Sequence, residues 1–494
     1  MARVNPALAV FASLLLVACG DDDGADPDAG GGRDAGGAVD GGSDRDGGSE
    51  LDAGAGDDAG PGPDAGPGTD AGPDPACALP APFDEGVTWE RTWYVDAAGP
   101  ADGDGSEERP FQDVESALDA ATPGTRILVR AGTYPPVSAS GVQGEPGRPI
   151  AVVAEGAVVL DAGGSGTVLR LSDARYLVLE GLELRGAGVH GMNLDDGGSY
   201  DTPAEFIVLR GITIDGAGSG GNNDCIKMSG VDDFWILDSD VGGCDMGEIV
   251  DMVGCHRGLI HGNRFRSTVR NAIQAKGGSA DTLVHGNLFE DIPGRAVNAG
   301  GSTGLEFFRP LDAPHEAARI RVVANVFVRG GSESGAPVAF VGCDACSFVH
   351  NTVIEPAGGW VTRILQETSG DRFVPSRDGV FANNLLVLNV DALRTFVNVG
   401  GGTAPESFTF ANNLWWALDR DAGWSGPSYP AEIDEAGALV QEDPLLVDRA
   451  GGDYALQSGS PAIAAATAID FPLPPGFDGR CYAEPAAIGA FPAP

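Results

Sequence analysis

Beyond about residue 92 the apolar residues fall in short β-branched runs, with Gly and Asn between them and hardly any helical spacing. One pattern recurs: an apolar residue, two spacers, Asn or a small aliphatic residue, a spacer, and another apolar residue. Its instances are LVLEGLEL, IVLRGITI, LIHGNRF, LVHGNLF, VVANVF, FVHNTV, VFANNLL and FTFANNLWW. Aligned, they bring Leu182, Ile212, Asn263, Asn287, Asn325, Asn351, Asn384 and Asn413 to one equivalent position. The shortest interval, Asn263 to Asn287, is 24 residues, and the longer ones hold Gly-rich or polar inserts. That interval suits one coil of a solenoid whose strands stack along an axis, a right-handed parallel β-helix. Asn at one corner of successive coils suits an amide ladder, and also suits ordinary turn chemistry.

A second strand repeats in the same register: HGMNLDDG, DCIKMSG, EIVDMVG, NAIQAKG, RAVNAGG and APVAFVG. Side chains alternate faces along a strand. Met192 with Leu194, Ile226 with Met228, Val250 with Met252, Ile273 with Ala275, and Val297 with Ala299 are therefore expected inside. The residues between them are expected outside, in columns repeating every coil, about 4.8 Å. One column reads Asn193, Lys227, Asp251, Gln274, Asn298, and its neighbour Asp195, Ser229, Val253, Lys276, Gly300. At the strand entrance stand His190, Asp224, Glu248, Asn271 and Arg295. In later coils the corresponding positions Ala339 and Val341 are apolar.

The pattern changes at the N-terminus. A positive start and an apolar run over 7–18 end in Leu16-Val17-Ala18-Cys19, too short to span a membrane and shaped like a secretory leader. Leu-Val-Ala-Cys resembles a bacterial lipobox, which implies a leader over 1–18 and a lipid on Cys19. The expected location is therefore outside the cytoplasm, anchored by that lipid to a bacterial membrane, at the outer membrane or cell surface, with no other membrane contact. Residues 19–76 are nearly all Asp, Gly, Ala and Pro, with an Asp every six residues from Asp28 to Asp70 and nothing to bury. We read them as a disordered acidic tether ahead of one folded domain, 77–494. Within that domain one helix is expected, over 114–121, closed by Pro123 and Gly124, as a short N-terminal cap.

The chain carries 72 Asp and Glu against 30 Lys and Arg, a net charge of -42, which excludes nucleic acid as a partner. We expect a monomer. Eight cysteines leave seven once Cys19 is lipidated, so at least one stays unpaired or bonds another chain. Cys343 with Cys346, and Cys77 with Cys481, are possible pairs. His261 and His285 share an outward position on adjacent coils and read as surface histidines, two imidazoles being a weak metal site.

Charged and amide side chains sharing one face over five coils suit β-elimination from a uronic acid. A cation neutralises the substrate carboxylate and acidifies the adjacent C5 proton, which a Lys or Arg removes. Asp224, Glu248 and Asp251 could hold Ca²⁺, with Asn193 and Asn271 as further oxygen donors. Lys276 or Lys227 could be the base, with Arg295 or Arg270 as partner. Asn193, Gln274, Asn298 and Arg309 could bind sugar. Arg309 lies in GGSTGLEFFRP, an insert that is either a sugar-stacking lip or a cover for the core. The competing reading is charge for solubility and sheet pairing, or a face that binds a glycan without cleaving it.

WYVDAAGPADGDGSEERPFQDVESALDAATPGTRILVRAGTY resembles the opening segment of secreted β-helix proteins of the pectate-lyase-like superfamily. DPLLVDRAGGDYALQSGSPAIAAA with the later IGAF resembles their closing segment. The resemblance covers 92–494 and implies an all-β, single-stranded right-handed parallel β-helix. That superfamily includes polysaccharide lyases of families six and nine and mannuronan epimerases. Against family six, GEIVDMVG resembles the coil with a calcium-ligand glutamate, implying that role for Glu248. NAIQAKGG resembles the next coil, where Lys276 falls at that family's catalytic arginine. Its base lysine falls at Val253 and a second acidic ligand at Met246. Against family nine, NNDCIK resembles a calcium cluster at Asp224, with Lys227 where another Asp stands. The leading expectation is an acidic-polysaccharide lyase or epimerase, with a non-catalytic glycan-binding or adhesion module as the alternative.

Overall fold

The computed structural model describes residues 77–494 apart from Tyr200, Asp245, Val269, Glu333 and Ser334. The leader, Cys19 and the acidic tether lie outside the described residues. The described chain winds into a right-handed parallel β-helix with one short α-helix, Val114–Asp119, at its start. That helix begins at Asp113, whose carboxylate accepts from the Ser116 amide at 2.7 Å, and it buries Val114, Ala117 and Leu118 against the first coils.

Each coil contributes one strand to a ten-stranded sheet and further strands to a 25-stranded sheet that folds around the rest of the cross-section. The ten-stranded sheet includes Met192–Asp195, Ile226–Ser229, Val250–Val253, Ile273–Lys276, Arg295–Gly300, Ala336–Val341 and Trp360–Leu365. Its register matches the expected columns: Asn193 pairs with Lys227, Lys227 with Asp251, Asp251 with Gln274, and Gln274 with Asn298. Alternation places Met192, Leu194, Ile226, Met228, Val250, Met252, Ile273, Ala275, Val297 and Ala299 in the core, each 2% exposed or less. Each of these strands must then turn a tight corner. Gly230, Gly254 and Gly277 supply it with φ near +60°, a conformation that a Cβ disfavours.

The asparagine corner is a ladder. Asn263 Oδ1 accepts from Ser239 N, and Asn287 Oδ1 accepts from both Asn263 N and Asn263 Nδ2 at 2.9 Å. The same relation carries on through Asn325, Asn351, Asn384 and Asn413. Glu435 receives Asn413 at one end and Ser239 takes up the position at the other, two rungs that the apolar-Asn pattern omits. Beside the ladder a file of phenylalanines, Phe265, Phe289, Phe327, Phe348, Phe381 and Phe410, stacks along the core with ring centroids 4.6 to 5.3 Å apart.

Past the last coil the chain runs back along the asparagine side. It is clipped there by His285, which donates from Nε2 to Pro475 O at 2.7 Å, and by His350, which donates from Nδ1 to Ala487 O at 3.0 Å. His285 is therefore buried under this segment, correcting its reading as a surface histidine. Cys481 in the returning segment bonds to Cys77, joining the two ends of the domain. Cys343 bonds Cys346, and Cys225 bonds Cys244 across the core; Cys255 is the free cysteine of the described residues, and burial pushes its thiol up to about 12.

Candidate functional site

The ten-stranded sheet gathers Asp224, Lys227, Glu248, Asp251 and Lys276 into one cluster. Lys227 Nζ makes an ion pair with Asp251 Oδ2 and lies 3.7 Å from Asp224 Oδ2. Lys276 Nζ lies 3.6 Å from the other oxygen of Asp251. Asp251 thus stands between two lysines, one in its own column and one in the next. Around it the amides are linked: Asn271 Nδ2 donates to Gln274 Oε1 at 2.7 Å and to Glu248 Oε1 at 3.3 Å, and Asn298 Nδ2 donates to Gln274 Oε1 at 3.2 Å. Arg295 donates to Asn298 Oδ1 and pairs with Glu367 at 2.8 Å.

The entrance column is also a ladder. His190 Nδ1 accepts from Asp224 N at 3.0 Å, which puts the imidazole proton on Nε2. Asp224 Oδ1 accepts from Glu248 N at 2.9 Å, and Asn271 Oδ1 from Arg295 N at 3.0 Å. These side chains brace the corner at which each coil enters the sheet.

The cluster faces away from the core, yet it is buried, which corrects the expectation of an open outer face. Lys276 is 1% exposed, Asp251 0%, Lys227 5% and Glu248 6%. Over Lys276 the cover is the insert after Gly300. A Cβ on Gly301 would lie 3.5 Å from Lys276 Cβ and 3.4 Å from Gln274 Nε2, so the chain there crosses directly over the lysine stem. Glu316 fastens that crossing. Its carboxylate accepts from Gly277 N at 2.8 Å, Thr303 N at 3.0 Å and the Thr303 hydroxyl at 2.7 Å, and from the Thr368 hydroxyl. Further along the insert Phe308 is buried against Phe373, so the lip reading gives way to the cover. Arg309 forks onto Asp232 at 2.6 and 2.8 Å and donates to Gly254 O, around the corner from the lysines. Asn193, at the near end of the column, hydrogen-bonds Asp195 on its own strand.

Burial sets the charges. Desolvation raises Asp224, and the nearby Asp251 charge raises it further. Glu248 is raised by burial and by Asp251 to about 7. Asp251 is pushed up by burial, but Lys227 and Lys276 outweigh this and hold it below the usual carboxylate range. Burial and the Lys227 charge bring His190 down to about 4. Asp251 is thus a carboxyl held low by two lysines, next to a carboxyl pair, Asp224 and Glu248, that burial and the Asp251 charge push the other way.

Calcium takes roughly six to eight oxygen ligands. Asp224 Oδ2 and Asp251 Oδ1 are buried without a hydrogen-bond partner, as cation ligands often are. Each, however, faces a lysine ammonium, at 3.7 and 3.6 Å, and Lys227 stands between Asp224 and Asp251. Among the described residues no group of three or more His, Cys, Asp or Glu is set to hold a metal. With Lys227 in this place, the residues present do not fit a calcium ion.

Two arginines that the repeat alignment did not single out extend the column. Arg170 precedes Asn193 in register and is 42% exposed, and Arg363 follows Ala339, lying 4.1 Å over the Trp360 ring. The sequence signal for the first is TVLRLSD, one coil ahead of the first repeat that was aligned.

No family model matches the chain, and no curated protein matches its sequence. Solved structures do. Pectate lyase Pel9A superposes with a TM-score of 0.53 at 15% identity, over 84% of this chain and 99% of that one. An alginate lyase from Paenibacillus sp. str. FPU-7 gives 0.39 at 20% identity, over 59% and 93%. The GH136 lacto-N-biosidase from Eubacterium ramulus gives 0.39 at 13%, over 62% and 65%. The chain has the right-handed parallel β-helix fold of the pectate-lyase-like proteins.

Proposed function

We propose that this chain acts on an acidic polysaccharide by uronate β-elimination or the related epimerisation, at a bacterial surface to which a lipid on Cys19 holds it. The observation that carries this reading is Asp251 buried between Lys227 and Lys276. Burying such charges is costly and contributes little to stability, so buried titratable clusters mark functional sites. That a pectate lyase has this fold adds support.

In this reading Lys276 takes the C5 proton. At rest Lys276 is the ammonium paired with Asp251, so it acts as the base only after shedding that proton, a loss that burial in a medium of low polarity favours. The C5 electron pair forms the C4–C5 double bond, the C4–O4 bond breaks, and the Lys276 ammonium returns its proton to the departing O4. Reprotonation at C5 from the opposite face, without cleavage, gives the epimer. Arg170, Asn193, Gln274, Asn298 and Arg363 lie along one column and would follow the carboxylates and hydroxyls of an extended chain. The segment through Gly301 must lift for a sugar to reach Lys276.

The burial of Lys276 also favours a second reading, a module that binds glycan along Arg170 and Asn193 without cleaving it. Incubation with pectate, alginate and chondroitin separates the two. Lyase action gives ultraviolet absorbance from an unsaturated uronate, and epimerisation changes sugar configuration in the NMR spectrum. Binding with neither signal would remove the catalytic reading.

A further inference from the structure

We propose that the Lys227 ammonium does the work of a bound cation in this site, so that the protein works without calcium. The inference rests on the function proposed above for its catalytic consequence, but its structural part stands alone.

A divalent ion at such a face gathers the carboxylates of successive coils and offers positive charge to a substrate carboxylate. Lys227 meets the first requirement directly. It rises from the column between Asn193 and Asp251, and its Nζ reaches Asp251 in the next coil and Asp224 at the entrance of its own. The two carboxylates that a calcium ion would draw together are thus drawn together by an ammonium. A lysine carries one charge where calcium carries two, and the neighbouring groups make up the difference. Lys276 supplies a second positive charge on the far oxygen of Asp251, and Asp224 and Glu248 are both raised toward their protonated forms. A calcium ion added to that set would have to displace a buried ammonium from its ion pair, stranding that charge before any coordination is gained.

The converse also follows. Without the lysine, the same carboxylates are an acidic pocket with two oxygens that no donor satisfies. Lys227→Asn keeps a polar group there, adds an amide oxygen and removes the ammonium, which converts the pocket into a cation site.

Thermal melts of the full domain in EGTA and in millimolar CaCl2 test this. The wild type is expected to melt at one temperature in both, and isothermal titration with CaCl2 is expected to give no binding heat. Lys227→Asn is expected to melt lower than wild type in EGTA and to recover on adding CaCl2, since a ligand that binds only the folded state raises its stability. A calcium-dependent rise in the wild-type melt, or calcium binding by titration, overturns the proposal. So does a Lys227→Asn protein whose melt ignores calcium. If that variant does not fold, the wild-type melt and titration still decide. Product formation on pectate, alginate and chondroitin, in EGTA and in CaCl2, is the separate arm. A wild type inactive in both fails the function reading while leaving the melts valid, and one active only with CaCl2 fails this inference alone.

Discussion

Lys227 and Asp251, at the same register on adjacent strands, form a buried ion pair, and Asp251 turns its second oxygen to Lys276 at 3.6 Å. Removing one member of such a pair leaves a charge stranded in a medium that solvates it poorly. Asp251→Ala should cost about 4 kcal/mol in urea unfolding. Replacing the pair together, Lys227→Met with Asp251→Leu, should recover most of that loss, because apolar residues of similar volume pack without a desolvation penalty. The double variant should be stable and inactive. If it retains product formation, the pair is structural.

Asn325 makes the ladder testable. Its Nδ2 donates to Val284 O at 2.9 Å and to Val323 O at 3.0 Å, while its Oδ1 accepts from Asn287 N and Nδ2. Asn325→Ala strands two buried N–H donors of Asn287 and two carbonyls at once. The expected loss is about 3 kcal/mol, measured by denaturant titration. Asn325→Asp keeps the acceptor but loses the donor and buries a charge, and should be no better.

The returning C-terminal segment gives a pH dependence. His285 Nδ1 faces His261 Nδ1 at 3.0 Å, and His350 Nε2 accepts from Asn383 Nδ2 at 3.0 Å, so each ring must keep one bare nitrogen. Burial lowers both from 6.5 to about 4. The folded state therefore binds fewer protons than the unfolded state between these values. Stability is full above about pH 6.5 and falls as the pH drops toward 4, by roughly 3 kcal/mol for each ring. Glu248, raised from 4.5 to about 7, works in the opposite sense, its contribution to stability falling as pH rises through that window. Acidification should first free the segment around Pro475 and Ala487, read as faster amide exchange there. His350→Gln should shrink the acid loss, and an unchanged pH profile in that variant would refute the assignment.

Much of this architecture is written in the repeat. The 24-residue interval and the strict alternation of Ile273, Gln274, Ala275 and Lys276 fix coil length and facing, and the columns follow from register alone. What the repeat does not carry is whatever lies between the repeats. The cover over Lys276 comes from an insert with no periodicity, and its anchor Glu316 lies thirteen residues past Thr303 in a stretch with no motif. The burial of His285 depends on Pro475, 190 residues away, and the Cys225 to Cys244 bond depends on two side chains meeting inside a coil. Lys227 could be read as a base from its column, but its place between Asp224 and Asp251 is a matter of side-chain direction that alignment does not encode.

Arg170 should act on binding alone. It is half-buried, two register steps before Lys227, and 3.8 Å from Asp195. Arg170→Ala removes a contact that is equal in ground and transition states, so KM for an acidic chain should rise several-fold with kcat unchanged. The rise should shrink at high salt, where exposed charges are screened. A fall in kcat would place Arg170 in the chemistry instead.

Glu316 decides whether the cover over Lys276 is a gate or a wall. Its carboxylate takes four donors from Gly277, Thr303 and Thr368, and so ties the crossing at Thr303 to the coil corner at Gly277. Burial raises its pKa although these donors oppose the shift. Glu316→Gln keeps the shape but turns one acceptor into a donor that faces other donors. The expected cost is about 2 kcal/mol of local stability, concentrated in 301–316. Limited proteolysis should then cut within that segment well before the rest of the domain. If the segment must lift for a sugar to reach Lys276, loosening it should leave kcat/KM unchanged or raise it. A loss of activity in a variant that still folds would mean that the segment around Gly301 and Thr303 belongs to the site itself and closes on the substrate as part of it.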